Sequence, residues 1–374
     1  MGSDIKDPLE LPCGLVLPNR LVKAAMAEGL AESGRLPGTR IFRVYEKWAK
    51  GGWGALLTGN VQIDVRHLGG FGDVATREYQ KDEQDSLNAW RTYANTCQQN
   101  GTPAIAQICH PGRQSPRGAD DRGILDKAIA PSEIALHIGN GLVATLARNI
   151  VFGVPQAMCY FDINRVITQF VSCARMMAQS GFSGIEIHAA HGYLLCESLS
   201  FTQAKRISSH QYGGDAERRA RIVLEIIHQI REAVPKTFCI GIKLNSADHS
   251  RSAFEDTMTQ IGLFSEAGID FLEISGGSYE DPTMMGRGLR DETTNSKNPE
   301  SREAFFLDFA TQTRKRFPNL RLMVTGGFRT RKGIETALKG DVCDLVGIGR
   351  PAVLNPDFPQ LMMDYTYSDK QAQV

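Results

Sequence analysis

The chain repeats one physical pattern: a short apolar run, a polar or glycine-rich loop, then an amphipathic stretch ending near glycine or proline. The apolar runs are Leu21–Met26, Ala55–Thr58, Ala104–Ile108, Gly184–His188, Phe238–Leu244, Phe271–Ile274, Leu322–Thr325 and Leu345–Ile348. Between them the clearest helix is 162–180, where Ile163, Val166, Ile167, Phe170, Val171, Ala174 and Met177 form one stripe. Asp162 is placed to cap its start and Gly181 its end. A second helix begins near Asp215, carries Ile222, Val223, Ile226, Ile227 and Ile230, and is halted by Pro235.

Strands alternating with helices imply a parallel sheet, and eight such units close most naturally into an α/β fold, a single (β/α)8 TIM barrel spanning 1–374. An open doubly wound sheet is the alternative, and it would set a glycine-rich nucleotide turn directly after a strand. The near match, GFGDVA at 70–75, follows no apolar run and reads as a flexible loop. The opening LELPCGLVLPNR, with apolar residues around Gly14, predicts a short hairpin that closes one end of the barrel. After the third strand the connection is far longer than compact βα loops take, so 111–160 is expected to be a lid or hairpin insertion over the barrel mouth.

Forty-two basic residues balance 42 acidic ones, which leaves no net charge to draw the chain to nucleic acid or an anionic membrane. The expected partner is therefore a small molecule, with a homo-oligomer left open. No apolar run approaches a membrane span. The N-terminal MGSDIKDPLELP has charges and prolines where a secretory signal needs an apolar stretch, so a cytoplasmic location is expected. The cysteines at 13, 97, 109, 159, 173, 196, 239 and 343 form no C-x-x-C pair, and most lie in apolar runs, as reduced buried thiols do.

Chemistry gathers at the strand ends. Residues 185–193, IEIHAAHGY, run in strand-like alternation into two histidines, a glycine and a tyrosine, like the catalytic end of a barrel strand. Other clusters are AAMAE (24–28), TGN (58–60), AQICHPGR (106–113), GIKLN (241–245), VTGGFR (324–329) and VGIGR (346–350). In the last two, glycines let backbone N–H groups approach an anion and Arg350 adds bidentate charge, the makings of a phosphate cup. A zinc site from His188, His191 and a carboxylate lacks a third ligand at ordinary spacing, so no metal is expected.

From about Leu9 to Pro359 the chain resembles the old yellow enzyme family of FMN-dependent ene-reductases, through PNRLVKAAM, AQICHPGR, the paired histidines with their tyrosine, YGGDAERRARI and the two glycine clusters. The resemblance implies bound FMN, with NAD(P)H as reductant and an enone or enal as substrate. It implies that Ala25, Met26, Ala27 and Gly59 line the flavin ring and that Gln107 meets its pyrimidine edge. Lys243 would be the cation near N(1), where the family usually has arginine; a pair with Glu186 or Glu273 is the structural alternative. Gly326, Gly327, Gly349 and Arg350 would hold the phosphate. His188 and His191 would hydrogen-bond the substrate carbonyl, and Tyr193 would protonate the α carbon.

The chain departs from the family at Ala27, often threonine or cysteine, at Gly29, where many relatives supply a tyrosine, and within SLSFTQAKRISSHQYGG. Desaturation or double-bond isomerisation by a specialised biosynthetic flavoenzyme is therefore a second reading, and a non-catalytic barrel scaffold a remote third. Arg287, in YEDPTMMGRGLRDETTNS, is expected on a mobile loop near the mouth.

Overall fold

A computed structural model describes residues 2–77, 83–139, 141–200, 211–246, 251–276 and 299–372. The stretch with Arg287 and residues 201–210 of the loop after the fourth strand lie outside the described residues.

Eight strands form one closed, wholly parallel sheet: β1 (Leu21–Lys23), β2 (Ala55–Gln62), β3 (Ala104–Cys109), β4 (Gly184–Ala189), β5 (Cys239–Asn245), β6 (Phe271–Ser275), β7 (Leu322–Thr325) and β8 (Leu345–Ile348). Closure comes from β1, which pairs with β8 through Val346↔Leu21, Gly347↔Val22 and Ile348↔Lys23, and with β2 through Val22↔Ala55 and Lys23↔Leu56. Every apolar run expected as a strand is one. β1 stops at Lys23, short of Met26, and β2 continues past Thr58 to Gln62 with a register shift against β3 between Leu57 and Asn60. The outer ring comprises α1 (Thr39–Lys50), α2 (Glu83–Gln98), α3 (Tyr160–Gln179), α4 (Ala216–Ala233), α5 (Arg251–Glu266), α6 (Pro299–Arg316), α7 (Arg331–Lys339) and α8 (Phe358–Met363). None of the described helices is long and apolar enough to cross a membrane.

Strand alternation divides the core in two. Ile185 and Ile187 of β4, Ile240 and Ile242 of β5, and Leu272 and Ile274 of β6 pack outward with the helix stripes, including Ile163, Val166, Phe170 and Met177 of α3. The intervening positions point inward. At the N-terminal end of the barrel they are apolar: Val22, Ala55, Leu57, Ile105, Cys239, Phe271, Met323 and Leu345 pack with Leu9, Leu11 and Leu17. The last three belong to the expected hairpin, in which Leu9–Glu10 runs antiparallel to Val16–Leu17. The turn needs Gly14, whose φ of 86° suits glycine. This plug leaves no space for water.

Four details differ from expectation. The N-cap of α3 is Cys159; Asp162 sits three residues further on and accepts the Cys159 N–H at 3.0 Å, because an acidic side chain can reach back over the first turn. Cys159 is exposed, unlike the buried Cys97, Cys109, Cys173, Cys239 and Cys343, since it starts a surface helix. The GFGDVA segment is not loose. Asp73 Oδ2 accepts from Gly69 N and Gly70 N at 3.0 Å each and from Gln62 Nε2 at 2.7 Å, and Val74–Ala75 pairs with Val61–Gln62. Finally, the long β3–α3 connection contains a pair of short strands, Ile129–Ala130 and Gln156–Ala157, that run parallel through the helix Leu142–Val151, where a hairpin would be antiparallel.

Gly241 shows how tightly the interior is filled: a Cβ there would lie 2.2 Å from the Phe271 ring. Gly241→Ala should therefore destabilise the chain by about 1–3 kcal/mol in urea unfolding. Adding Phe271→Leu should recover part of that loss, and an unchanged midpoint in the single variant would contradict this packing.

Candidate active site

The site is built from the C-terminal end of β4. Because Ile185 and Ile187 face the helices, Glu186 and His188 face inward. The chain then reverses through two left-handed residues, His191 at φ 59° and Gly192 at φ 72°. A non-glycine residue rarely holds that conformation unless its surroundings fix it. Here the His191 N–H donates to Asn245 Oδ1 at 3.0 Å, and its carbonyl accepts from Gln114 Nε2 at 2.8 Å. The reversal brings three rings together: His188 lies 4.9 Å from His191 and 4.7 Å from Tyr193, centroid to centroid. Asn60 Nδ2, from the end of β2, donates to the Tyr193 hydroxyl oxygen at 3.1 Å.

The hydrogen bonds assign the imidazole roles. His188 Nδ1 accepts the Ala190 N–H at 3.2 Å, which leaves its Nε2 as the protonated nitrogen. His191 Nε2 lies 3.0 Å from Ser275 Oγ at the end of β6. Burial, then His191 and Lys243, hold His188 well below the ordinary 6.5, and burial and Lys243 do the same to His191. Both rings are therefore neutral at physiological pH.

Next to the histidines, buried polar residues answer one another across the interior. Gln107 Nε2 donates to Glu186 Oε2 at 2.6 Å, and Lys243 Nζ pairs with Glu273 Oε1 at 2.9 Å. The ion pair weighed for Lys243 is thus present. Burial and the neighbouring Glu273 push the Glu186 carboxyl well above its ordinary range. Burial raises Glu273 most, but Lys243 together with hydrogen bonds from Glu186 and Thr325 outweighs it and holds Glu273 below its ordinary value. The layer thus favours the protonated form of Glu186 and the ionised form of Glu273, which Lys243 faces.

The rim carries the remaining expected residues. Ala25 packs toward the interior plug, Met26 toward the outer core, and Ala27 is exposed. Gly59 needs to be glycine, because a Cβ would lie 1.9 Å from Glu28 Oε2 and 2.4 Å from the Met26 carbonyl oxygen. Thr325 and Gly347 are register partners, so the glycines that follow β7 and β8 are adjacent. Gly326 and Gly327 have φ of 144° and 85°, and a Cβ on Gly326 would meet the Phe306 ring at 2.6 Å. Gly349 sits beside Met26, whose Sδ would be 3.9 Å from a Cβ there, and Arg350 is exposed next to it.

Asn60, Asn245 and Ser275 were not singled out from the sequence, although the first two lie inside the quoted strand-end clusters; polar residues one or two positions beyond an apolar run were the available signal. Two further groups among the described residues have metal-ligand atoms within 4.8 Å of one another, Asp64–His67–His110 and Cys13–Cys239–Asp270, and neither includes His188 or His191. In each the carboxylate already has partners. Asp64 Oδ2 lies 2.9 Å from His67 Nδ1, and Asp270 Oδ2 accepts from Ile240 N at 2.7 Å and Arg231 Nη2 at 2.5 Å.

The pattern of the NADH:flavin oxidoreductase / NADH oxidase family matches residues 6–367. The NADH-dependent flavin oxidoreductase iliE of Hypocrea jecorina (strain QM6a) is 45% identical over 361 residues, which are 95% of this chain and 88% of that protein. The iliE protein of Neonectria sp. (strain DH2) is 46% identical over 355 residues, 94% of this chain but 46% of that protein, so the chain spans about half the length of this relative. In fold it is similar to the old yellow enzyme homologue from Zymomonas mobilis, with a TM-score of 0.76 at 20% identity over 100% of this chain and 97% of the other. The expected kinship with old yellow enzymes is thereby borne out: the chain belongs to the NADH:flavin oxidoreductase / NADH oxidase family, whose cofactor is FMN.

Proposed function

We propose that this flavin oxidoreductase uses NAD(P)H to reduce the C=C bond of α,β-unsaturated carbonyl compounds. The residues present suit a flat ring with an anionic tail. Gly59 keeps the rim beside Met26 free of a side chain, and Gly326 and Gly327 hold positive-φ backbone of the kind that turns successive amides toward an anion. Ala25, Met26, Ala27 and Gly59 would line the ring, Gln107 and Lys243 its polar edge, and Gly326, Gly327, Gly349 and Arg350 the phosphate. Bound FMN supplies hydride chemistry to such a site.

One observation carries the reading: a neutral imidazole donor and a hydrogen-bonded phenol share one wall. His188 Nε2–H would donate to the substrate carbonyl and polarise the conjugated bond, a preorganised donor aimed at developing charge. Ser275 and Asn245 would orient His191 for a second contact. Tyr193 would deliver the proton to the α carbon. Asn60, donating into the phenol oxygen, stabilises the phenolate left behind. The insertion at 111–160 is read as the lid. Its first residues are tied to the site, since Arg113 pairs with Glu197 and Gln114 holds the His191 carbonyl.

Gly29 supports a second reading. Its φ is 65° and, among the described residues, nothing lies within 4 Å of the position a Cβ would take, which leaves room there for a bulky substrate of the kind a biosynthetic desaturase or isomerase accepts.

The purified chain should be yellow, bleach with NADH or NADPH and recover colour with cyclohexenone; an FMN-free protein that cannot be reconstituted would overturn the proposal. With 4-deuterated nicotinamide, net reduction places the label in the product, whereas isomerisation leaves it unlabelled. Tyr193→Phe should slow alkene reduction about 10²- to 10⁴-fold while leaving flavin reduction by nicotinamide near normal.

The buried imidazoles also set a pH dependence. Below 6.5 the unfolded chain takes up protons that folded His188 and His191 refuse, so stability should fall as pH drops from 6.5. The slope is at most about 1.4 kcal/mol per pH unit for each ring. Urea midpoints between pH 7.5 and 5.5 measure it, and His188→Asn should flatten the decline.

A further inference from the structure

Lys23 ends β1, and its side chain runs outward against α1 with no solvent exposure. An ammonium withdrawn from water costs several kcal/mol unless it is compensated, and methionine would pack in the same place without that cost. Compensation here is indirect. Lys23 Nζ donates to Tyr45 Oη at 3.0 Å and to the Leu57 carbonyl at 2.8 Å, and lies 4.4 Å from the Trp48 ring centroid. The Tyr45 hydroxyl donates to Glu28 Oε1. The Gly59 N–H completes the chain, 2.9 Å from Glu28 Oε1 and 3.0 Å from Tyr45 Oη. Burial pushes Lys23 down to about 8 while Glu28 pulls it back up, so the ammonium persists at pH 7.

An uninterrupted hydrogen-bonded path therefore runs from a buried cation through a phenol to a carboxylate that presses on Gly59. We propose that Lys23, Tyr45 and Glu28 form a charge-balanced positioning relay that fixes the Gly59 rim and sets the reduction potential of the bound flavin. The inference rests on the reading that Gly59 and Met26 line the ring. Reduction adds negative charge to a flavin, and a fixed charge acts strongly across a low-dielectric interior. With both ends of the relay present each charge offsets part of the other's field at the rim. Removing one end exposes the other, and the sign of the exposed charge decides the direction of the shift.

The test is a charge cycle on the FMN-loaded protein, read at pH 7 by spectroelectrochemical titration. Lys23→Met should move the flavin midpoint potential negative, and Glu28→Gln should move it positive. The double variant should fall between the two single variants, close to the parent, because the opposite shifts offset one another, which a purely structural role does not predict. Shifts of the same sign, no shift, or a double variant displaced by the sum of two like shifts would overturn the relay. If Lys23→Met does not fold, the half-exposed Glu28→Gln decides alone: a positive shift supports the relay, and a zero or negative one overturns it. A chain that binds no FMN overturns the flavin seat as well as the relay, whereas FMN bound with parental potentials in every variant overturns the relay only.

Discussion

The Lys243 ammonium inside the barrel is set against two carboxyl groups, and the site depends on that balance. The hairpin plug shuts water out of the interior from one end, so polar groups above it must satisfy one another. Glu273 can remain ionised because Lys243 lies 2.9 Å away. Burial and the neighbouring Glu273 push the Glu186 carboxyl toward its protonated form, and it takes the Gln107 amide. The same ammonium, together with burial, keeps the two histidines neutral and thus able to act as hydrogen-bond donors without carrying charge. Loss of Lys243 would disturb the whole layer, since a buried carboxylate without its partner is costly.

What the local sequence can specify was legible. Each strand is a buried run bounded by glycine, proline or polar residues, and such runs need no distant information. The amphipathic stripe of α3 and the Asp215 cap of α4, where Arg218 N donates to Asp215 Oδ1 at 2.9 Å, are equally local. Boundaries slipped where two local rules compete. Asp162 can serve as a cap or three residues inside one, and an apolar run such as Leu21–Met26 does not reveal that pairing ends at Lys23.

The site was legible only in part, because its two ingredients have different origins. The histidine–tyrosine cluster lies within a few residues of one strand end, so a pattern finds it. Its supports come from register: Asn60, Asn245 and Ser275 stand on β2, β5 and β6 and meet the cluster only once the sheet has closed. Chain spacing carries no trace of such meetings, and the coupling of Gln107 to Glu186 or of Lys23 to Glu28 through Tyr45 was hidden for the same reason.

The brevity of β1 has a mechanical side. Six residue pairs join β4 to β5, yet two join β1 to β2, so the cylinder is thinnest along that line. The Lys23 ammonium reaches across it to the carbonyl of Leu57, one residue beyond the last pair, and acts as a rivet where the strand has run out of rungs. A lineage that discarded this lysine would have to lengthen the strand or accept a looser joint, which ties the closing of the tube to the identity of a single side chain.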